Sequence, residues 1–288
     1  MAAAAQRRRR GGRAPAGPLD YSRKLWIRLI IGFVLLFLYL PIVTLIVFSF
    51  NDSRRNIVWQ GFTFDYYEKA ARNAGLIEAF FNSMTIAVVA TLISTILGGM
   101  VALGLYRFRF VGKPVFEGLS ALPIVIPEIC MGVSLMVFFS RIGWFDYARE
   151  APWPINLTAI TAAHIAFCFP FVTVVVRARL AGFDRSLAEA ARDLGASEWQ
   201  IVRDIMLPHM KVGLIAGALL AFTLSLDDFV ITFFSAGPDT PTFPIKIFSM
   251  VRFSVTPEVN AASTVLIVMT IVITVIALRL QSPVRSGH

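Results

Sequence analysis

Six blocks of about 20 apolar residues, separated by polar stretches, leave this chain few ways to fold. They are Leu29–Phe50, Met84–Tyr106, Leu119–Ser140, Ile155–Val176, Val212–Ala236 and Asn260–Leu280. Each is long enough to cross the roughly 30 Å hydrocarbon layer of a bilayer as a helix. Strands of a membrane barrel would alternate polar and apolar residues over about ten positions; the run Ile30-Ile31-Gly32-Phe33-Val34-Leu35-Leu36-Phe37 does not alternate. The 288 residues are 57% hydrophobic and 16% charged, with a mean hydropathy of +0.70. Soluble domains carry roughly 25% charged residues. A soluble enzyme, a disordered chain and a secreted disulfide scaffold are excluded. The expected fold class is an all-α polytopic membrane protein: six transmembrane helices over residues 29–281, between a basic tail (1–28) and a short C-terminal tail (282–288).

The charge is uneven. Residues 1–28 carry +7 of the formal +9, including Arg7, Arg8, Arg9 and Arg10. A basic tail abutting an apolar block reads as an orientation signal rather than a nucleic-acid-binding arm. With the N-terminus inside, 19 of the 27 Lys and Arg residues fall on the cytoplasmic side and eight outside, so both termini are expected to be cytoplasmic. Lipid is a partner and nucleic acid is not. The first block is too long for a cleaved signal, and more spans follow it. Cys130 and Cys168 lack metal-ligand spacing and read as small buried hydrophobes.

The connection Arg177–Lys211 carries its own amphipathic helix. Ser186-Leu187-Ala188-Glu189 fits a capping box, with Ser186 as N-cap and Glu189 reaching back. Leu187, Ala190, Ala191 and Leu194 repeat at i, i+3, i+4, i+7 and define one apolar face. Gly195 is placed for a left-handed cap. A second piece, Glu198–Met206, is expected to stop before Pro208. Nothing in the chain is evidently available to cover the stripe. Either lipid headgroups or a cytoplasmic protein cover it, and the acids on its polar face (Glu189, Asp193, Glu198, Asp204) suit a protein better than anionic lipid.

These residues carry a resemblance. Glu189-Ala190-Ala191, then Gly195, then Ile205-x-Leu207-Pro208 is similar to the EAA loop of ABC-importer permeases at every specified spacing. The segments Ser49-Phe50-Asn51-Asp52-Ser53, Tyr106–Pro114 and Ser225-Leu226-Asp227-Asp228 resemble the spermidine/putrescine permeases of that family. The resemblance implies a type I importer of MetI-like fold. Such an importer has two permease subunits, a cytoplasmic ATPase dimer and a periplasmic binding protein, in the bacterial inner membrane. It also implies that Glu189, Ala190, Ala191 and Gly195 couple to the ATPase, supported by Leu207 and Pro208, within a loop spanning 184–208.

The chain has no Walker A motif: Gly112-Lys113 is followed by Pro114, and Arg107 stands where the first glycine belongs. ATP and Mg are therefore expected on a partner, with no cofactor on this chain and no catalysis. Intramembrane protease signatures are missing as well. A secondary cation transporter is the competing class, but it has no need of a capped cytoplasmic helix.

Three acids fall within the predicted spans, Glu128, Asp227 and Asp228, with no Lys or Arg at comparable depth. A charge at a helix centre costs on the order of 2.5–3.5 kcal/mol or more, so such residues face a cavity or a partner. Pro123 and Pro127 loosen the third span beside Glu128, freeing carbonyl acceptors. Phe229, Phe233 and Phe234 offer aromatic faces to an ammonium group. Glu128, Asp227, Asp228 and Phe229 are the candidate substrate route, suited to an organic cation. The alternative is that the aspartates cap a re-entrant stretch or bond a partner subunit. His164 reads as a hydrogen-bonded packing residue and Asn82 as a cap or helix contact.

Overall fold

The computed structural model describes residues 25–53, 58–237, 240–253 and 256–281. The tail residues 1–24 and 282–288 lie outside it. Among the described residues the chain is helical, and the antiparallel bridge between Asn51 and Phe62 is its only strand-like pairing. In hydrocarbon a helix satisfies its own backbone polar groups, which is why apolar runs of this length fold this way. The helices are α1 (Leu25–Phe48), α2 (Asp65–Arg72), α3 (Ala74–Arg107), α4 (Lys113–Val125), α5 (Glu128–Arg141), α6 (Trp144–Glu150), α7 (Thr158–Leu180), α8 (Arg185–Asp193), α9 (Leu207–Leu226), α10 (Val230–Ser235), α11 (Phe243–Phe253) and α12 (Pro257–Gln281). Helix α1 begins at Leu25 and so absorbs the last residues of the expected tail; it buries no residue and lies against α12.

The core is the packing of α3, α7 and α9. With no hydrophobic drive between helices in lipid, close backbone approach through small residues holds them together. A Cβ built on Gly98 would stand 2.7 Å from Val172 Cβ and 2.8 Å from the Phe169 carbonyl, and one on Gly217 would stand 3.0 Å from Val172 Cγ1. Both neighbouring spans therefore close on Val172. Gly98→Val is expected to destabilise the protein by at least about 1–3 kcal/mol, because overpacking here pushes against backbone. A lowered midpoint of thermal unfolding in detergent checks this.

The third span is not the continuous helix expected over Leu119–Ser140. It breaks at Ile126-Pro127, and α4 and α5 meet at 105°. Pro127 donates no backbone hydrogen bond and drives Ile126 into an extended conformation (φ −70°, ψ 132°), which ends α4. The pair still makes one crossing. Lys113 Nζ donates to the Leu105 and Phe108 carbonyls at the end of α3, while Trp144 Nε1, just past α5, donates to Thr158 Oγ1 at the opposite end of α7. Counted with the five other long apolar helices, the bent pair brings the spans to six.

The fifth span is broken too. Helix α9 ends at Leu226 and α10 begins at Val230, so Asp227, Asp228 and Phe229 form the joint rather than lying within a helix. Two adjacent aspartates are poor helix formers, and their side chains compete for backbone donors. Helix α10 seats against α5, where a Cβ on Gly132 would stand 2.8 Å from Phe234 Cδ2; Phe234 is thus a packing residue. Cys168 is buried as expected, with its thiol near the Ala221 carbonyl at 3.6 Å, but Cys130, expected to be buried, is exposed on the first turn of α5. Asn82 is neither a cap nor a helix contact: it ties two connecting segments to α3, donating to the Pro241 carbonyl (2.9 Å) and accepting from Trp153 Nε1 (3.1 Å).

Candidate transport and coupling sites

The two breaks lie near each other. Asp227 caps the end of α9, its own N–H donating to the Thr223 carbonyl at 3.3 Å, and its side chain is exposed. Glu128 opens α5 and is also exposed, and α5 packs directly against α10, the helix that follows Asp227. No Lys, Arg or His among the described residues pairs with either acid. Phe229 leans on Phe248 with ring centroids 4.8 Å apart and on Phe233 at 5.7 Å, and the latter two rings are half exposed. Two unpaired carboxylates beside aromatic faces can solvate an ammonium group.

Asp228 points the other way. Its Oδ2 accepts from Thr232 N at 2.7 Å and Thr232 Oγ1 at 2.8 Å, its Oδ1 from Ile231 N at 3.4 Å. It thereby supplies acceptors for the exposed donors at the start of α10. His164, from the fourth span, reaches the same carboxylate with Nε2 at 3.4 Å. Asp227 and Phe229 thus sit at the joint of the fifth span, with Glu128 at the neighbouring break, whereas Asp228 turns into the protein.

The second site is the loop below α7. Its helix starts at Arg185, one residue before the expected N-cap: Asp184 accepts from Ser186 N at 2.9 Å, and the capping box falls instead at Ser197 and Gln200. Asp184 precedes Ser186 and caps with a full negative charge, so Ser186 enters the first turn. The hydrogen bonds from the Ser186 backbone and side chain hold the Asp184 carboxyl below the usual carboxylate range. Gly195 adopts φ +84°, the left-handed cap expected, and Ala196 N closes onto the Ala191 carbonyl at 2.9 Å. Pro208 does not stop the following piece. Ile201–Met206 widens into a π-helix that runs straight into α9, with Pro208 in its first turn. The wider turn keeps the proline ring clear of the carbonyl it would otherwise strike. Leu207 is half exposed there.

Helix α8 has three faces, set by 100° per residue. Ala188 and Ala191 turn inward onto the chain's own core, which removes Ala191 from the expected uncovered stripe. Leu187, Ala190 and Leu194 stay exposed, Leu194 at 89%. Arg185, Glu189 and Arg192 line a cavity of about 410 Å³ with Arg107, Arg109 and Lys113, so Glu189 is the one acid among five cations. Glu198 ties the cavity's edge by pairing with both Arg107 and Arg192.

The fold is that of a polytopic helical membrane protein with two broken spans and a capped amphipathic loop, and comparison with known proteins supplies its class. Residues 94–284 match the family of binding-protein-dependent transport system inner membrane components, and the chain belongs to that family. It is a transport component of the inner membrane, crossing it several times. It is 43% identical over 239 residues to the spermidine/putrescine transport system permease protein PotC of Escherichia coli K12, covering 83% of this chain and 87% of that protein. It is 39% identical over 254 residues to the putrescine transport system permease protein PotI of the same organism, covering 86% and 88%. A bacterial ABC transporter importing the acidic polysaccharide alginate shares the fold, with a TM-score of 0.71 at 17% identity over 91% of this chain and 96% of that one. The MetNI methionine ABC transporter aligns with a TM-score of 0.57 at 19% identity over 72% and 94%.

Proposed function

We propose that the chain is the permease subunit of an ATP-driven importer carrying a polyamine, spermidine or putrescine, into the cytoplasm by alternating access. The observation that carries the cation is the pair of unpaired carboxylates, Asp227 and Glu128, at the facing breaks of two spans, beside the Phe229 ring. The names of the two Escherichia coli relatives point the same way. Exposed carboxylates at this depth are costly against lipid. A second permease subunit therefore covers this face and completes a water-lined route along Glu128, Asp227 and Phe229, with Asp228 behind it.

The coupling site is the α8 loop. Leu187, Ala190 and Leu194 present a short apolar ridge to a cytoplasmic ATPase dimer, with the Gly195 turn at its tip and Leu207 and Pro208 joining it rigidly to α9. ATP and Mg bind on that partner, and a periplasmic binding protein delivers the polyamine. Six spans return the C-terminal end to the side of the N-terminal one, and the excess of Lys and Arg beside the α8 loop makes that side cytoplasmic. A secondary cation transporter would leave the α8 ridge without a role.

The test is uptake of labelled putrescine into proteoliposomes holding the permease pair, the ATPase and the loaded binding protein. Asp227→Asn is expected to lower uptake about tenfold, one lost ion contact in a poorly hydrated site, while the complex assembles normally. Undiminished uptake in Asp227→Asn, Glu128→Gln and the double variant would remove the acids from the route.

A further inference from the structure

An imidazole inside an apolar span is tolerated only if both ring nitrogens find partners. His164, on α7, finds them on the two halves of the broken fifth span. Nδ1 stands 2.7 Å from Ser225 Oγ, one residue before the end of α9, and Nε2 stands 2.8 Å from Thr232 Oγ1 on α10. Nε2 also lies 3.4 Å from Asp228 Oδ2, with the two side chains 3% and 5% exposed. A carboxylate only accepts, so the Thr232 hydroxyl donates to Asp228 Oδ2 and its lone pair takes the Nε2 hydrogen. In the neutral ring Nδ1 then accepts from Ser225. One ring thus spans the break and fixes the angle between its halves.

The network also divides two adjacent, chemically identical residues. Asp228 receives two backbone N–H groups and one hydroxyl, with the imidazole Nε2 closing over it at 3.4 Å, so little of its acceptor capacity is left for a ligand. Asp227, one residue earlier, is exposed and receives no side-chain donor among the described residues. We propose that His164 is a positioning residue for transport: with Thr232 it locks Asp228 away from the route and sets the bend, so that Asp227, with Glu128, is the acid that meets the polyamine ammonium group. This rests on reading the break as the cation route. The two aspartates then differ in tolerance. Asp227→Glu keeps a carboxylate at an open site, whereas Asp228→Glu inserts a methylene where every oxygen position is already fixed.

The experiment is a double-mutant cycle on putrescine uptake, using the complete reconstituted transporter. His164→Leu is expected to lower uptake about tenfold, and His164→Gln, which keeps an N–H near the Nε2 position, to restore most of it. Because His164 acts through Asp228, combining His164→Leu with Asp228→Asn costs no more than about twofold beyond the worse single change, whereas combining it with Asp227→Asn multiplies the losses. If His164→Leu fails to assemble, His164→Asn, which keeps only the Ser225 contact, carries the same cycle. Multiplying losses for His164 and Asp228, or full uptake in both His164→Leu and His164→Asn, overturns the positioning role. Full uptake in Asp227→Asn overturns the cation route itself and is read separately from the cycle.

Discussion

Putrescine uptake by a Glu189→Lys variant is expected to fall at least about 100-fold, with the permease still inserted and still carrying its partner permease. Glu189 is the one acid lining a cavity that also presents Arg107, Arg109, Lys113, Arg185 and Arg192. Reversal changes the local charge by two and sets a new cation against Arg109, Lys113 and Arg185, since Glu198 already pairs with Arg107 and Arg192. Those cations come from the end of α3, the following loop, the start of α4 and α8 itself, so the repulsion acts between α8 and the spans beneath which it lies. The small inward face of Ala188 and Ala191 has little apolar area with which to resist. Once α8 lifts, its ridge of Leu187, Ala190 and Leu194 no longer presents at a fixed angle. ATP hydrolysis by the purified complex should then stop responding to loaded binding protein. Glu189→Gln, which removes the charge without reversing it, should fall between the two. Normal uptake together with a normally docked ATPase in Glu189→Lys would sink the coupling assignment.

The six spans were legible because lipid leaves an apolar run of 20 residues almost one option. The breaks were harder to read. Pro123 and Pro127 signalled a loosened third span, but a 105° turn depends on α4 and α5 finding different neighbours, α7 and α10, which is a tertiary fact. At Asp227-Asp228 the hydropathy stays high on both sides, so the window ran through a joint that the backbone breaks. In the α8 loop the Gly195 cap is readable from one glycine, while the start of α8 is not: Asp184 and Ser186 are both good caps two residues apart, and the charged one caps the helix. His164 was read correctly as hydrogen-bonded, yet its partners lie 61 and 68 residues away. The signal that would have found them is the spacing of Ser225, Asp228 and Thr232, i, i+3, i+7, a polar stripe on one face of an otherwise apolar segment.

Asp227→Lys is expected to abolish polyamine uptake, by about 1,000-fold or more, while the complex assembles and ATP still binds its partner subunit. The substitution does more than delete a contact. Asp227 is exposed at the joint between α9 and α10, and Glu128 is exposed at the start of α5, the helix on which α10 packs. A lysine ammonium there pairs with Glu128 and lies beside Phe229 and Phe248, so the side chain occupies the place proposed for the substrate's own amine. The site becomes neutral, filled and repulsive toward a second cation. Asp228→Lys forces a cation against His164 and two backbone N–H donors, so it should fail by misassembly instead, seen as loss of complex on purification. A further arm separates occupation from damage: Glu128→Lys places the tethered ammonium on the other wall and should block uptake equally, by pairing with Asp227. In the double charge reversal, Asp227→Lys with Glu128→Lys, no acid remains and uptake should stay lost. Recovery of uptake in that double variant, or an Asp227→Lys protein that imports putrescine at more than about a tenth of the normal rate, would show that the joint of the fifth span does not meet the travelling cation.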